Sequence, residues 1–355
     1  MSFKPRHILM KNFLAVSREY FKRIMVPSLE ERKRISPPTV KHYVIADKRI
    51  AVHLYGREVA NIFTLALAHN ETHESFHADL TIHAWDSKGA ATEVIPPWND
   101  SSFEKDAAID GDSFLGVYVG GEESLNFYDK EKHVGYFWTQ DASQLPDWVL
   151  GAPFRTIFHW FFSESRIHFI HGAVVGQDGI SVLLTAKSGS GKSTTALSSI
   201  LSGMDYLGDD YVAIETADKV MAHSLYHSAI VTREGLTHFP EFAEKIWNKD
   251  FGEREKAVIF LSDIFPEQVK RASPLRAVLI PRITSTETRI VRASKMEAMI
   301  AIAPTTLFQL PLAETNKIAM FKEILEKIPC YFLDLGPDVR TVPDTIKSFL
   351  KSAMI

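Results

Sequence analysis

The chain has 355 residues, 45% hydrophobic and 24% charged, with a formal net charge of −4 and one cysteine, Cys330. That balance fits a globular protein of about two domains and excludes the strongly basic footprint of a nucleic-acid-binding domain. A single cysteine excludes a disulfide within the chain and fits a reducing, cytoplasmic setting; no apolar run reaches the roughly 18 residues that a membrane helix needs.

Residues 1–38 open the chain as a basic segment, with Lys4, Arg6, Lys11, Arg18, Lys22 and Arg23 against Glu19. Lys11 interrupts the apolar residues, so the segment is a poor secretory signal. It reads as an amphipathic helix packed on the body; a targeting peptide or a membrane-surface helix are the other readings. "ERKRISPP", residues 31–38, closes the segment as a linker. From 39 to 150 the runs "HYVIA", "RIAVHLYG", "ADLTIHAW", "FLGVYVG", "SLNFYD" and "VGYFWT" are short, partly alternating and separated by turn residues. They predict an antiparallel, β-rich N-terminal domain.

Within that domain, residues 73–77 read "HESFH". This is the H-E-x-x-H pattern of a zinc protease, with His73 and His77 as ligands and Glu74 as base. His69 and His83 lie close by in sequence. The surrounding "HNETHESFHADL" holds few apolar residues, and a predicted strand follows at once. A polar helix end or loop is the favoured reading; a structural or adventitious metal site and a zinc hydrolase are the others.

The texture changes after 150. "PFRTIFHWFFSES", residues 153–165, predicts an apolar helix with Pro in its first turn. "HFIHGAVV", a "GQDG" turn and "ISVLLTA" predict strands. A helix runs from the following loop to about Ser202, with Gly203 as its C-terminal cap. Strands are expected at "YVAI", "KVMAHSLY", "AVIFL", "RAVLIPRI" and "CYFLDLG". The last of these makes Cys330 a buried, inert thiol. Ser294 and Glu297 have capping-box spacing at the start of "SKMEAMIAI". "TNKIAMFKEILEKI" carries Ile318, Phe321, Ile324 and Leu325 at helical spacing, and Pro343 starts the last helix.

The loop itself carries the chemistry. Ala186, Lys187, Ser188, Gly189, Ser190, Gly191, Lys192 and Ser193 match G-x-x-x-x-G-K-[ST] at all but the first position. In such a loop, backbone N–H groups and a helix N-terminus face phosphates. Lys192 would reach the β- and γ-phosphates, Ser193 would place its hydroxyl on Mg²⁺, and Thr194 follows on the helix. Asp209 and Asp210 come only 17 and 18 residues after Lys192. Adjacent side chains of a strand point to opposite faces, so their roles should differ: one for the metal, the other for a substrate hydroxyl. His171 lies 21 residues before Lys192, placed either to support the site or as a histidine satisfied in the core. Of the basic residues downstream, Arg254, Lys256, Arg271 and Arg276, the best placed to meet phosphate are Lys256 first and Arg276 second.

"HGAVV", "SGSGKST" and "LGDDYVAI" together resemble the catalytic domain of HPr kinase/phosphorylase, which shares its P-loop arrangement with phosphoenolpyruvate carboxykinases. The resemblance spans roughly 165–345 and is specific up to about residue 214. It implies a serine protein kinase using ATP and Mg²⁺. By it, Asp209 is the base, Asp210 and Ser193 hold the metal, Lys192 holds the phosphates and His171 supports the site. Thr194 stands where the HPr enzymes usually have Glu, and their downstream glycine-containing signature is absent. The chain is therefore more similar to the broader HPr-kinase-related proteins, which include lasso peptide kinases.

The expectation is an α/β P-loop kinase domain of the HPr-kinase/carboxykinase type, 151–355, behind the β-rich domain, 39–150, which would bind the acceptor. The reaction is transfer of the γ-phosphate of ATP to a hydroxyl, foremost serine of a peptide or small protein. A small-molecule kinase, a nucleotide-binding regulator without transfer, and the zinc hydrolase stay open, as do homo-oligomerisation and the reverse phosphorylase reaction. "LSGM" at 201–204 does not supply the LSGGQ-like signature of a transport ATPase.

Overall fold

The computed structural model describes residues 13–91, 93–95, 113–250, 252, 256–307, 310–311 and 317–352. The first twelve residues of the basic segment, and Arg254, lie outside these. The remainder of the basic segment is a short strand, β1 (Phe13–Ala15), and a helical run over 18–35 that ends in α1 (Val26–Ile35). Its apolar side, Tyr20, Phe21, Met25 and Leu29, packs on Trp85, Phe114, Phe127 and Trp138. The expected linker at 31–38 is corrected here. The helix continues to Ile35, because Arg32 is buried against the sheet, ion-paired to the Asp86 carboxylate and donating from Nε to the Asp86 carbonyl at 2.7 Å. Only 36–38, with the Pro pair, lie between helix and strand.

All six expected strands of the N-terminal half are present: β2 (Thr39–Ile45), β3 (Lys48–Tyr55), β5 (Leu80–Asp86), β6 (Phe114–Val119), β7 (Ser124–Asp129) and β8 (Val134–Thr139). With β1 and the short β4 (Glu71–Thr72) they make a sheet in the order β1-β6-β7-β8-β5-β3-β2-β4. The sheet is mixed, not antiparallel as expected, because β5 runs parallel to both β3 and β8. Parallel neighbours need a crossover rather than a tight turn. Helix α2 (Arg57–Phe63) and the irregular chain after it provide one between β3 and β5.

Two short helices lead out of this sheet, α3 (Asp147–Gly151) and α4 (Arg155–Ser163). Pro153 precedes α4 instead of sitting in its first turn, and Phe154 between them is left-handed, φ 58°. Residues 155–162 of α4 are all buried. Phe154, Ile157, Phe158 and Trp160 share one core with Val52, Leu54, Ile82 and Phe137 of the first sheet and with Tyr211, Tyr226 and Val258 beyond. This explains the helix's apolar character all round.

The second half is mixed α/β. Its strands are β9 (Ile167–His171), β10 (Ala173–Gln177), β11 (Ile180–Leu184), β12 (Asp205–Gly208), β13 (Tyr211–Glu215), β14 (Met221–His223), β17 (Ala272–Ile283), β18 (Arg289–Arg292) and β19 (Cys330–Leu335), with β15 (Ser228–Val231) and β16 (Ala257–Phe260) as a separate pair. The order is β12-β10-β11-β17-β14-β13-β9, with β19 on β17 and β18 on β19. β11, β17 and β19 are parallel. Helix α5 (Lys192–Leu201) and the last helix, α8 (Val342–Ser352), share a core with Val182, Leu184, Leu279 and Leu333. Residues of α6 (Lys295–Leu307) and α7 (Lys317–Lys327) pack with Val174, Leu183, Val278 and Ile280. Alternate residues of the central strands therefore serve two faces. The capping box at Ser294 forms, with the Ser294 backbone N–H donating to Glu297 at 2.8 Å. Cys330 is buried, and burial pushes its thiol pKa up. Among the described residues, no helix is long and apolar enough to cross a membrane.

The two halves also meet through polar groups. His69 Nε2 pairs with Ser224 Oγ at 2.7 Å, His227 Nε2 with the Leu65 carbonyl at 2.7 Å, and the two rings lie edge to face, 5.1 Å apart. Arg271 Nε donates to the His69 carbonyl at 2.8 Å. Burial, and for His69 the neighbouring His227 and Arg271 charges, lower both histidine pKa values. Both rings are thus neutral in the fold, while an unfolded histidine takes a proton near pH 6.5. Folding stability contributed here is present above about pH 6.5 and lost as pH falls below it. Thermal melts should show a melting temperature that drops between about pH 6.5 and 5, less steeply in a His69→Gln variant; identical slopes would remove His69 from this role.

Candidate functional site

The phosphate-binding candidate forms at the C-terminal end of β11. Gly189 (φ 77°) and Gly191 (φ 95°) are left-handed. Gly191 caps α5, and a Cβ there would lie 2.5 Å from Leu335 Cδ1, so both conformation and space require glycine. Ala186, in place of the usual first glycine, has no positive φ and is buried. Lys187, Ser188 and Gly189 form the exposed tip, whereas Ser190 is buried with its hydroxyl unpartnered among the described residues. Lys192 is buried; its Nζ donates to the Ala186 carbonyl at 2.7 Å and the Lys187 carbonyl at 3.2 Å. Burial lowers its pKa against the opposing pull of Asp209 and Asp210. Ser193 and Thr194 follow on the first turn of α5, both half-buried.

Asp209 and Asp210 occupy the bend between β12 and β13 rather than a strand, with Asp210 left-handed at φ 76°. They diverge as expected. Asp209 is 3% exposed, lies close enough to Ser193 for that side chain to favour its ionised form, and accepts the Asp210 backbone N–H at 3.0 Å through Oδ1. Its Oδ2 has no partner among the described residues. Burial pushes its pKa up to about 6 against the lowering influence of Ser193. Asp210 turns the other way, with its Oδ1 2.8 Å from His171 Nε2. Burial works to raise the Asp210 carboxyl, but the His171 hydrogen bond and charge, with Lys256 and Arg155, hold it below the usual carboxylate range.

His171 is brought there by pairing of β9 with β13, which sets it opposite Tyr211. Gly172 lets the chain cross: its N–H reaches the Asp210 carbonyl at 3.2 Å, and a Cβ would lie 2.6 Å from the Leu184 carbonyl oxygen. The sequence reading put Ser193 with Asp210. In the structure Ser193 acts on Asp209, and Asp210 is bonded to His171.

Lys256 lies beside the site, since its charge acts on Asp210 and Lys192. Arg276 does not. β17 runs parallel to β11 with Leu275 opposite Ser181, so Arg276 sits about 10–13 Å below the loop, at the opposite end of the sheet. Arg271 is at the seam, as described above. Residues 73–78 have no helical or strand structure, so His73 and His77 lack the shared helix face that the zinc signature requires. His69 bonds Ser224 and His83 bonds the Tyr55 hydroxyl, at 2.7 and 3.0 Å. Among the described residues, no group of three or more His, Cys, Asp or Glu side chains could hold a metal ion.

One element was missed by sequence reading. A cleft of about 550 Å³ opens beside Ala186, Lys187, Gly189 and Ser190 and is walled by Ile280, Ile283, Ile300, Ala301 and Phe332. Arg282 covers the Phe332 ring at 4.0 Å and is tied to Asp334. Ile283 and Ile300 are 71% and 65% exposed beside the 186–193 loop, an apolar surface of the kind that marks binding clefts.

The donors fit a hard divalent cation. A hydroxyl and a carboxylate with one unsatisfied, buried oxygen stand side by side at the start of α5, and Mg²⁺ prefers oxygen ligands. The class that this fold defines is a mixed α/β protein with a glycine-bearing strand–loop–helix at 186–193.

No protein-family model and no curated protein matches this chain. Among solved structures it is similar to the Hpr(Ser) kinase/phosphatase from Coxiella burnetii, with a TM-score of 0.32 and 10% identity, over 53% of this chain and 99% of that one. A likeness this low carries neither reaction nor substrate across.

Proposed function

We propose that this protein is an ATP-dependent kinase that transfers the γ-phosphate to a hydroxyl, foremost serine of a peptide or small protein. The observation that carries the reading is the convergence of Lys192, Ser193 with Asp209, and the bonded Asp210–His171 pair at one strand end. The loop N–H groups and Lys192 would hold the phosphates, and the apolar cleft beside them the base. Ser193 and Asp209 would hold Mg²⁺, which when bound neutralises charge between phosphate oxygens.

Asp210 would then accept the acceptor's proton, with His171 fixing its orientation. This exchanges the two aspartate roles implied by the sequence resemblance. A carboxylate held ionised is a weak base alone, but a triphosphate beside it raises its proton affinity. A loose phosphoryl-transfer transition state also asks little of the base. The β-rich half, 39–150, is proposed as the acceptor-binding domain.

The test is incubation with γ-labelled ATP, Mg²⁺ and a library of serine-containing peptides. Label on serine supports the kinase reading. Tight ATP binding with no label on any peptide, small hydroxyl compound or water would make the protein a nucleotide-binding regulator.

A further inference from the structure

The hydrogen bonds and ion pairs behind the site lead out of the second half and into the first. Arg155, at the start of α4, is 4% exposed. It is ion-paired to Glu122, itself 6% exposed, and donates from Nη1 to the Trp148 carbonyl at 2.9 Å. Glu122 lies in the turn between β6 and β7 of the N-terminal sheet and also receives the Trp148 indole N–H at 3.3 Å. On its other side, the Arg155 guanidinium lies 5.8 Å from the centre of the Tyr211 ring. Tyr211 directly follows the left-handed Asp210. From the same connecting segment, Asp147 accepts the backbone N–H of Lys256. The N-terminal sheet thus reaches the back of the aspartate bend through one buried carboxylate and one buried guanidinium.

A buried ion pair is a poor way to gain stability; apolar residues of the same volume often serve as well or better. What such a pair does supply is a fixed charge at a fixed place. We propose that Arg155, held by Glu122 of the N-terminal sheet, is a positioning residue that braces the Asp210–Tyr211 bend and sets a positive field behind the phosphate site. The inference rests on the kinase reading. By it, the N-terminal sheet is part of the nucleotide site's electrostatics as well as a candidate acceptor domain. Arg155 acts on Asp210, Tyr211 and Tyr226, with Glu122 as the opposing charge.

The test uses a sign that packing alone cannot produce. ATP without metal carries more negative charge than Mg·ATP, so a cation behind the site favours the metal-free form more. The readout is the ratio of the ATP dissociation constant in chelator to that in excess Mg²⁺, by calorimetry on the full chain, with melting temperatures recorded alongside. Arg155→Met should raise the ratio, by about fivefold or more. Glu122→Gln, which keeps size and leaves the guanidinium uncompensated, should lower it. Arg155→Lys should stay near wild type. Ratios that move in the same direction in Arg155→Met and Glu122→Gln, or do not move, overturn the proposal and leave the pair a structural clasp. If Arg155→Met does not fold, the direction of Glu122→Gln decides alone. A wild-type chain whose ATP binding Mg²⁺ does not strengthen overturns the kinase reading itself, and this inference with it.

Discussion

Lys192→Ala is expected to weaken Mg·ATP binding by about 10- to 100-fold, the worth of a charge-assisted hydrogen bond of roughly 1.5–3 kcal/mol. Lys192 is the one ammonium enclosed by the loop, and it already points at the loop's own carbonyls of Ala186 and Lys187. Bound phosphate oxygens would offer it better acceptors than two neutral carbonyls. The cost to the fold should be small, because the side chain bonds only to a loop whose tip, 187–189, is exposed. Lys192→Met keeps the stem's packing and removes only the charge, so it separates affinity from stability. Titration calorimetry with Mg·ATP measures the first and a thermal melt the second. Equal affinity in wild type and both variants, each folded, would remove the phosphate-loop assignment.

The loop was legible in the sequence because its determinants are local. Gly189 and Gly191 mark left-handed positions, Gly203 ends the helix, also left-handed at φ 82°, and Ser294 with Glu297 starts another. Each requirement is met within a few residues of the signal. Strand direction is not local. Alternation shows that residues 80–86 are a strand but not that it runs parallel to two neighbours. The same gap misplaced Arg276. Lys256 and Arg276 both look like cations near a strand start, yet only the direction of β17 relative to β11 shows that Arg276 is at the far end.

At 73–77 the favoured loop reading holds, and the zinc reading does not, for a related reason. Residue types were right, but the i, i+4 geometry exists only on a helix, and this segment is not one. The cleft walls, Ile283 and Ile300, and the Glu122–Arg155 pair come from residues distant in sequence, 33 apart for the ion pair. Nothing in either local stretch announces its partner.

The two aspartates should separate cleanly. With Asp209 beside Ser193 and Asp210 beside His171, the expected results are crossed relative to the sequence resemblance. Asp209→Asn replaces a carboxylate whose free oxygen would meet the metal by a neutral amide, so the Mg²⁺ concentration for half-maximal activity should rise. Transfer at saturating Mg²⁺ should largely recover. Asp210→Asn keeps size and a partner for His171 but cannot take the acceptor's proton. Single-turnover transfer should fall by about 10²–10⁴, the range for a positioned base, with Mg·ATP affinity retained or tightened as a negative charge near the phosphates disappears. His171→Asn adds a third arm. It keeps the Asp210 carboxyl but removes the charge that favours its ionised form and the ring that aligns it, so transfer should drop less than in Asp210→Asn, without a change in Mg²⁺ requirement. Mg²⁺ titration and single-turnover transfer from γ-labelled ATP, once an acceptor is in hand, read both quantities on the same protein. Loss of transfer at saturating Mg²⁺ in Asp209→Asn, together with a shifted Mg²⁺ requirement in Asp210→Asn, would restore the roles implied by the resemblance. In that case the Ser193 hydroxyl, which lies near Asp209, would have to serve Asp210 when nucleotide binds.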